Sequence, residues 1–290
     1  MHDSAIRHLA ACDESSRIAA ALFESTVQIW DWDSGRQIAE FETVLDFGGR
    51  RLVLAAAGSL CVTGSWDRGL SAYSVPDGAC IWRRPDLTKI QLLTLSPSGR
   101  EINCGFDKRP LAVIDASTGN TVRTVKNALR IFCSRLSSYE FVQERKIYRI
   151  VGNHISEIPA MSFALVDAAL SPEAVCLSES KPGIRCIELK SGEQLWYNPY
   201  LGTNHVAFCA ADFNFYCVAM ENSPPHDCSL VRLAPNIMNC DQTAFIGPCW
   251  EAAFSQSGNV LITMRGDVFE TSTGRLLSQL NFPQREYPDK

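Results

Sequence analysis

The chain has 290 residues, of which 46% are hydrophobic and 20% are charged, and its formal net charge at pH 7 is −5. This balance is typical of a globular protein that buries a core, and it excludes a disordered chain. The acidic charge argues against a nucleic-acid partner, because phosphate binding needs a clustered positive field.

The first residues, Met1-His2-Asp3-Ser4-Ala5, lack the basic region and apolar run of a signal peptide. No stretch approaches the roughly 18 apolar residues of a membrane-spanning helix. These features predict a cytoplasmic protein with no membrane contact.

The dominant pattern is a turn that ends in glycine or asparagine and follows a short apolar strand. It recurs every 33 to 44 residues, close to the roughly 40–45 residues of a propeller blade. The turns are Asp33-Ser34-Gly35, Pro76-Asp77-Gly78, Ser117-Thr118-Gly119, Val151-Gly152-Asn153, Lys190-Ser191-Gly192, Ala234-Pro235-Asn236 and Ser272-Thr273-Gly274.

A second set of turns is offset from the first and indicates hairpins between the first two strands of a blade. Its members are Ser96-Pro97-Ser98-Gly99, Ser171-Pro172-Glu173 and Ser255-Gln256-Ser257-Gly258. The segments between turns are short and rich in branched and aromatic residues, as in Val27–Trp30, Leu111–Ile114 and Ile147–Ile150. Long amphipathic helices are not indicated, because the apolar residues lack helical spacing.

Together these patterns predict an all-β fold: a seven-bladed β-propeller with four antiparallel strands per blade, built as one domain over residues 1–290. The predicted blades span about 4–43, 50–84, 89–126, 129–159, 164–198, 204–246 and 248–282. Runs such as Leu92–Leu95 and Ala252–Phe254 are expected to be innermost strands. We expect the ring to close by side-chain packing between the first and last blades, without an exchanged outer strand.

Two stretches carry a resemblance to a known family. Thr26-Val27-Gln28-Ile29-Trp30-Asp31 resembles the end of a WD repeat, and Thr63-Gly64-Ser65-Trp66-Asp67 resembles the family's turn between the second and third strands. In other blades the Trp-Asp pair is replaced, for example by Ile114-Asp115. The resemblance implies a rigid, mostly non-enzymatic platform for protein partners.

The resemblance also implies a carboxylate that holds each blade together through a buried hydrogen-bond network. Asp67 and Asp107 match the position of that turn aspartate, and Glu24 is a degenerate version.

The chain contains 12 cysteines, none of them in a C-x-x-C pair. Most lie in apolar, strand-like runs, so we expect reduced, buried thiols without disulfide bonds. A disulfide framework is the alternative.

The sequence contains few candidates for catalysis or for binding a metal or cofactor. The five histidines have no partner at metal-ligand spacing, and no phosphate loop, dinucleotide fingerprint or nucleophile elbow occurs. Asp31 and Asp33 could form a carboxylate pair, but turn and surface positions account for them better. We therefore predict a chain that is not an enzyme and has no cofactor and no metal.

The candidate binding residues lie where the fourth strand of one blade returns to the first strand of the next. These returns converge on one face around the central channel. Arginine, tyrosine and tryptophan are enriched at interface hot spots, and the returns contain Arg51, Arg84, Lys89, Arg130, Tyr200 and Trp250.

These features favour a monomeric protein-binding scaffold or adaptor whose partner is another protein. A narrower form is an immunity protein that neutralises a toxin by covering it. The alternative is an enzyme or a small-ligand-binding propeller that uses the central channel.

Overall fold

The computed structural model describes the chain between residues 6 and 283 except for short gaps. The gaps are 23–24, 44–51, 97, 107–108, 127–129, 134–139, 144–146, 152–153, 158–164, 180–182, 192, 199–202, 221–226, 234–239 and 250. The described residues form four-stranded antiparallel sheets that follow one another along the chain, each made of four consecutive strands. We number these sheets in chain order.

Sheets 1 to 3 contain β1 (Ile6–Cys12), β2 (Arg17–Leu22), β3 (Thr26–Asp31), β4 (Arg36–Glu42), β5 (Leu52–Ala55), β6 (Leu60–Ser65), β7 (Gly69–Ser74), β8 (Cys80–Arg84), β9 (Ile90–Leu95), β10 (Glu101–Phe106), β11 (Leu111–Asp115) and β12 (Thr121–Val125). Sheet 4 contains β13 (Arg130–Cys133), β14 (Glu140–Gln143), β15 (Ile147–Val151) and β16 (His154–Glu157). A single 3-10 turn, Asp13–Ser15, is the helical element among the residues described.

Sheets 5 to 7 contain β17 (Leu165–Leu170), β18 (Ala174–Glu179), β19 (Ile184–Glu188), β20 (Gln194–Asn198), β21 (Thr203–Cys209), β22 (Asn214–Met220), β23 (Asp227–Leu233), β24 (Cys240–Pro248), β25 (Ala252–Phe254), β26 (Val260–Thr263), β27 (Asp267–Glu270) and β28 (Leu276–Gln279). The first strand of each sheet lies innermost, and β1 contacts both β5 and β25.

The all-β propeller with four antiparallel strands per blade is confirmed, but the predicted number of blades needs correction. Side-chain packing is described for six blades, whereas sheet 4 is described through its backbone pairing alone. The prediction of seven blades is therefore corrected to six blades with described packing. The repeated turn marks where the chain reverses, and by itself it does not show that the flanking strands pack as a blade.

Burial falls at the outermost strand of the sheets whose side chains are described. In sheet 3 every residue of β11 but the last is buried, while β12 is exposed at four of its five residues. The inner strands lie between neighbouring blades and are therefore apolar on both faces. The outer strand has one free edge.

The repeated turn glycines join neighbouring sheets. Gly119 has φ +72°, and a Cβ there would lie 2.7 Å from Cδ2 of Trp82 on the preceding sheet. Gly78, with φ +66°, approaches Phe41 of sheet 1 in the same way, at 2.8 Å from its Cβ. Each of these two positions therefore requires glycine for two reasons: the left-handed backbone and the close approach of the neighbouring side chain.

Each of five outer strands contains a β-bulge at the third residue after its turn. In sheet 1, Ile29 pairs with Ala39 and Trp30 with Gln37, which leaves Ile38 unpaired. The equivalent bulged residues are Ile81, Val122, Leu195 and Leu277. All five are large, apolar and exposed. Bulges twist an edge strand away from further pairing.

The ring closes by side-chain packing between the first and last sheets, as predicted. After β28 the chain turns inward, and Leu280 and Phe282 are buried. The ring of Phe282 packs edge-on against Trp30 of sheet 1, with 5.8 Å between centroids. Each sheet is made of four consecutive strands, so no outer strand is exchanged among the residues described.

The eleven cysteines whose side chains the structure describes are free thiols. Nine are buried: Cys12, Cys61, Cys104, Cys176, Cys186, Cys209, Cys217, Cys228 and Cys249. Cys240 is partly buried and Cys80 is exposed. The nine buried thiols fill the core as small hydrophobic side chains, a common use of unpaired cysteine.

Candidate protein-binding face

The return from β8 to β9 is the best-described loop of the predicted binding face. Arg84 ends β8, and its Nε and Nη2 donate to the two carboxylate oxygens of Asp86 at 2.9 and 2.7 Å. The backbone N–H of Leu87 donates to the carbonyl of Arg84 at 3.2 Å, and the Leu87 side chain is buried. This short turn places Lys89 at the start of the next inner strand.

Lys89 has an uncommon backbone conformation, with φ +59°. Its N–H donates to the carbonyl of Trp66 at 2.6 Å, which ties the return to the turn between β6 and β7. The Lys89 side chain is exposed. A left-handed lysine costs conformational energy, and the surrounding hydrogen bonds offset that cost.

Arg109, from the turn between β10 and β11, fastens the same return from its other side. Its Nη1 donates to the carbonyl of Asp86 at 3.3 Å, and its Nη2 donates to the carbonyl of Thr88. Its guanidinium lies 4.7 Å from the centroid of the Phe106 ring. The return is therefore a fixed platform that brings three cationic side chains together: Arg84, Lys89 and Arg109.

The six predicted binding residues divide into three groups. Arg84 and Lys89 lie on the same return. Arg130 is the first residue of β13, an innermost strand, and its side chain is not described. Arg51, Tyr200 and Trp250 lie outside the described residues.

Arg84 also has a structural role that the sequence did not predict. Besides Asp86, its Nη1 bonds the carbonyl of Gly119 at 2.7 Å, in the turn of the next sheet. The hydrogen bond from Arg84 also lowers the pKa of Asp86. The guanidinium thus joins two blades and is already paired with a carboxylate, whereas the Lys89 side chain of the same return is exposed to solvent.

The blade-holding carboxylate is corrected as well. Asp67 is exposed, and its backbone N–H donates to the hydroxyl of Ser65 at 3.2 Å. The buried Ser65 hydroxyl also accepts the N–H of Arg68 at 3.0 Å. A serine therefore organises this turn in place of the family's aspartate. Asp107 and Glu24 lie outside the described residues.

Other buried polar groups link the blades. The carboxylate of Asp167 on β17 accepts the N–H of Val206 on β21 at 3.0 Å. Tyr216 is buried, and its hydroxyl donates to Asp212 at 2.7 Å and lies 3.3 Å from the carbonyl of Ser272 in sheet 7. No family motif marks these positions in the sequence, so these links were not predicted.

On the opposite face the turns between first and second strands interlock around the channel. The N–H of Ala56 donates to Gly99, and that of Ala210 donates to Ser257, both at 2.9 Å. The hydroxyl of Ser257 donates to Asp13 of sheet 1. Hydrogen bonds between turns thus connect neighbouring blades at this face.

Gln256 extends this network across the ring. Its Nε2 donates to the carbonyl of Ser96 at 2.5 Å, which connects sheet 7 with sheet 3. A polar side chain therefore lies across the channel at this face.

The carboxylates on the face of the interlocked turns are held by their own turns. Asp115 accepts the hydroxyl of Ser117 at 2.7 Å and the N–H of Thr118 at 2.8 Å, and these bonds lower its pKa. Asp31, one of the two paired candidates, is bonded in the same way by Ser34. Asp33 instead accepts the hydroxyl of Ser16 at 2.5 Å. These acids accept hydrogen bonds within their own sheets and so stabilise the turns.

Within the described segments, no group of three or more His, Cys, Asp or Glu side chains could hold a metal ion. His8 is buried on β1 and His205 is partly buried on β21. In the part of the chain that the structure describes, no helix is long and apolar enough to cross a membrane.

Two residues that shape the return, Asp86 and Arg109, were not predicted from the sequence. Asp86 lies two residues after Arg84, and Arg109 falls in a turn that the repeat places on the same face, so a signal for both was present. Hot-spot residue types point to side chains that bind a partner, and they do not point to side chains that fix a loop.

Comparisons with known proteins support the fold. The chain is 25% identical over 133 residues to human F-box/WD repeat-containing protein 9, a match that covers 46% of this chain and 28% of that protein. The structure of BamB from Moraxella catarrhalis is similar with a TM-score of 0.62 and 13% identity, over 93% of this chain and 81% of that one. No family model matches. With the repeated four-stranded sheets, the structural likeness shows that the chain has a β-propeller fold, and part of its sequence is similar to a WD-repeat protein.

Proposed function

We propose that the chain is a non-enzymatic, protein-binding propeller that acts in the cytoplasm as a monomer and holds one partner protein on the face of the returns. The observation that carries this proposal is the fixed return 84–89, which presents Lys89 on a rigid loop. A rigid ring that brings loops from several blades together is well suited to recognition.

The partner surface is expected to be acidic or of mixed charge at this return. Arg84 and Arg109 are occupied in shaping the loop, so Lys89 contributes the contact and the electrostatic steering. Arg51, Arg130, Tyr200 and Trp250 remain the predicted contacts from the other returns, with Tyr200 and Trp250 as aromatic anchors. A toxin-neutralising role is a narrower form of the proposal, in which covering the partner is the entire function.

Quantitative affinity capture from the source cell tests the proposal with matched variants. Lys89→Glu changes an exposed cation on the return, and Lys190→Glu changes an exposed cation on a turn of the other face. We expect the wild type and Lys190→Glu to retain one stoichiometric protein that Lys89→Glu and Trp250→Ala lose, with unchanged melting temperatures.

Two results would contradict the proposal. Loss of the partner in Lys190→Glu alone would place binding on the other face. A purified protein that retains a small molecule in native mass spectrometry, and captures no protein partner, would favour the enzyme or ligand-binding alternative.

A further inference from the structure

The outer edge of sheets 2 and 3 concentrates positive charge on a protein whose net charge is −5. Residues 79–84 are Ala-Cys-Ile-Trp-Arg-Arg, and residues 120–126 are Asn-Thr-Val-Arg-Thr-Val-Lys. The two segments carry four cations and no carboxylate. The outer strand of sheet 1, β4, instead carries Glu40 and Glu42.

Two large apolar side chains are exposed among these cationic side chains. Ile81 is 51% exposed and Val122 is 53% exposed. Both are bulge residues that fall outside the regular pairing of their strands. Arg83, Arg123 and Lys126 beside them are not buried.

The two strands belong to one continuous surface, because the junction between their sheets is closed. Trp82 Nε1 donates to the carbonyl of Ala116 at 2.9 Å. Gly119 lies against the Trp82 ring, and Arg84 bonds the Gly119 carbonyl at 2.7 Å. Ile81 adjoins Trp82 in the chain, and Val122 follows Gly119 by three residues. We call Ile81, Arg83, Val122, Arg123 and Lys126 the basic edge.

The two carboxylates of the same junction are engaged in bonds of their own. Asp86 pairs with Arg84 at 2.7 Å. Asp115 accepts hydrogen bonds from Ser117 and Thr118 within its own turn. Both carboxylates keep their negative charge, but the four cations of the two segments outnumber them. The local field is therefore positive and favours an acidic partner, while the two apolar side chains supply contact area.

We propose that the basic edge is a second docking surface, which binds an acidic segment of a partner protein whose apolar side chains contact Ile81 and Val122. The surface lies on the circumference of the propeller and is separate from the return that carries Lys89. The bulges prevent a regular fifth strand, so side chains and charge carry the recognition.

Fluorescence anisotropy with two labelled synthetic peptides tests this proposal. One peptide alternates glutamate with leucine, and the other alternates lysine with leucine. We expect the acidic peptide to bind at least about tenfold more tightly than the basic one, and its affinity to fall as salt is raised. Equal affinity for the two peptides, or no binding of the acidic peptide at low salt, would overturn the proposal.

The chain offers a matched control for the variants. Ile81→Asp and Arg123→Glu should each weaken binding of the acidic peptide at least about tenfold. Ile38→Asp changes the equivalent exposed bulge residue on sheet 1, beside Glu40, and should leave binding unchanged. All three should keep the melting temperature of the wild type. Equal losses in Ile38→Asp and Ile81→Asp would refute a localised site.

Two further measurements separate the basic edge from the return face and from self-association. Lys89→Glu should bind the acidic peptide as the wild type does, so failure of the return face and failure of the basic edge are distinguishable. Sedimentation of the protein without peptide should show a monomer. Self-association that Arg123→Glu abolishes would mean that a second copy of the chain, and not a partner segment, covers the edge.

Discussion

A single hydroxyl group organises the turn between β6 and β7, where the family resemblance predicts a carboxylate. In sheet 2 the Ser65 hydroxyl accepts two backbone N–H groups and its residue is fully buried, while Asp67 faces solvent. A donor that loses its acceptor inside the protein cannot readily recover the bond from water. The stabilising group at this turn is therefore the serine.

We predict that Ser65→Ala lowers the free energy of unfolding by about 1–3 kcal/mol, because two backbone N–H groups lose their buried acceptor. Asp67→Ala should cost less than about 0.5 kcal/mol, as expected for an exposed side chain. Chemical denaturation of both variants provides the comparison. A larger loss in Asp67→Ala would restore the family role of the aspartate.

At the scale of the strand and turn, the repeated glycine has a second function beyond reversing the chain. The turn of one sheet rests on the outer strand of the sheet before it, as Gly119 rests on Trp82. Gly35 has the same left-handed backbone, with φ +68°, but a Cβ there would meet no atom within 4 Å. A comparison of substitutions at Gly35 and Gly119 therefore separates the free-energy cost of the left-handed backbone from the cost of the close packing against Trp82.

We predict that Gly35→Ala costs only the backbone term, roughly 1–2 kcal/mol. Gly119→Ala should cost at least about 1–3 kcal/mol more, because the new methyl group overlaps the Trp82 ring. That ring is held by its bond to Ala116 and cannot move freely. Equal melting temperatures for the two variants would show that the neighbouring sheet yields to the methyl group.

At the scale of the whole molecule, the ring depends on its last residues. Phe282 belongs to a cluster that contains Trp30 of sheet 1 and Val268 of sheet 7. The first and last sheets share this core without exchanging a strand. Besides a parallel backbone bridge between Ala11 and Ser255, the closure consists of side-chain contacts, which a single substitution can weaken.

We predict that Phe282→Ala destabilises the protein by about 3–5 kcal/mol, the usual cost of removing a buried phenyl ring. Leu276→Ala, on the same end of the chain but 51% exposed, is the control and should change stability by less than about 0.5 kcal/mol. Thermal unfolding followed by circular dichroism measures both. A small effect of Phe282→Ala would mean that the ring closes through other contacts.

The reactivity of the cysteine thiols depends on how deeply the folded ring buries them. Burial raises the pKa of Cys186 and Cys249 to about 12 and that of Cys209 to about 11. At neutral pH these groups are protonated and therefore poor nucleophiles. We predict that Cys80 reacts fastest in the native protein among the described thiols, and that denatured, unreduced protein shows 12 free thiols. A count of eight or fewer, without oxidation during handling, would contradict the absence of disulfides.

The local architecture could be predicted from the sequence, because each turn needs particular residues whatever surrounds it. Glycines at the left-handed positions and short branched strands between them located the four-stranded units and the face on which the returns lie. Those preferences arise within a few residues of chain, so a single sequence displays them.

How the units pack, and which side chains are occupied, depends on the folded ring. Arg84 and Lys89 are similar cations in the sequence, yet one bonds Asp86 and Gly119 and the other projects outward. The burial of Ser65 and the exposure of Asp67 were equally hidden. Each depends on contacts between residues far apart in the chain, and the pattern of residue types does not record those contacts.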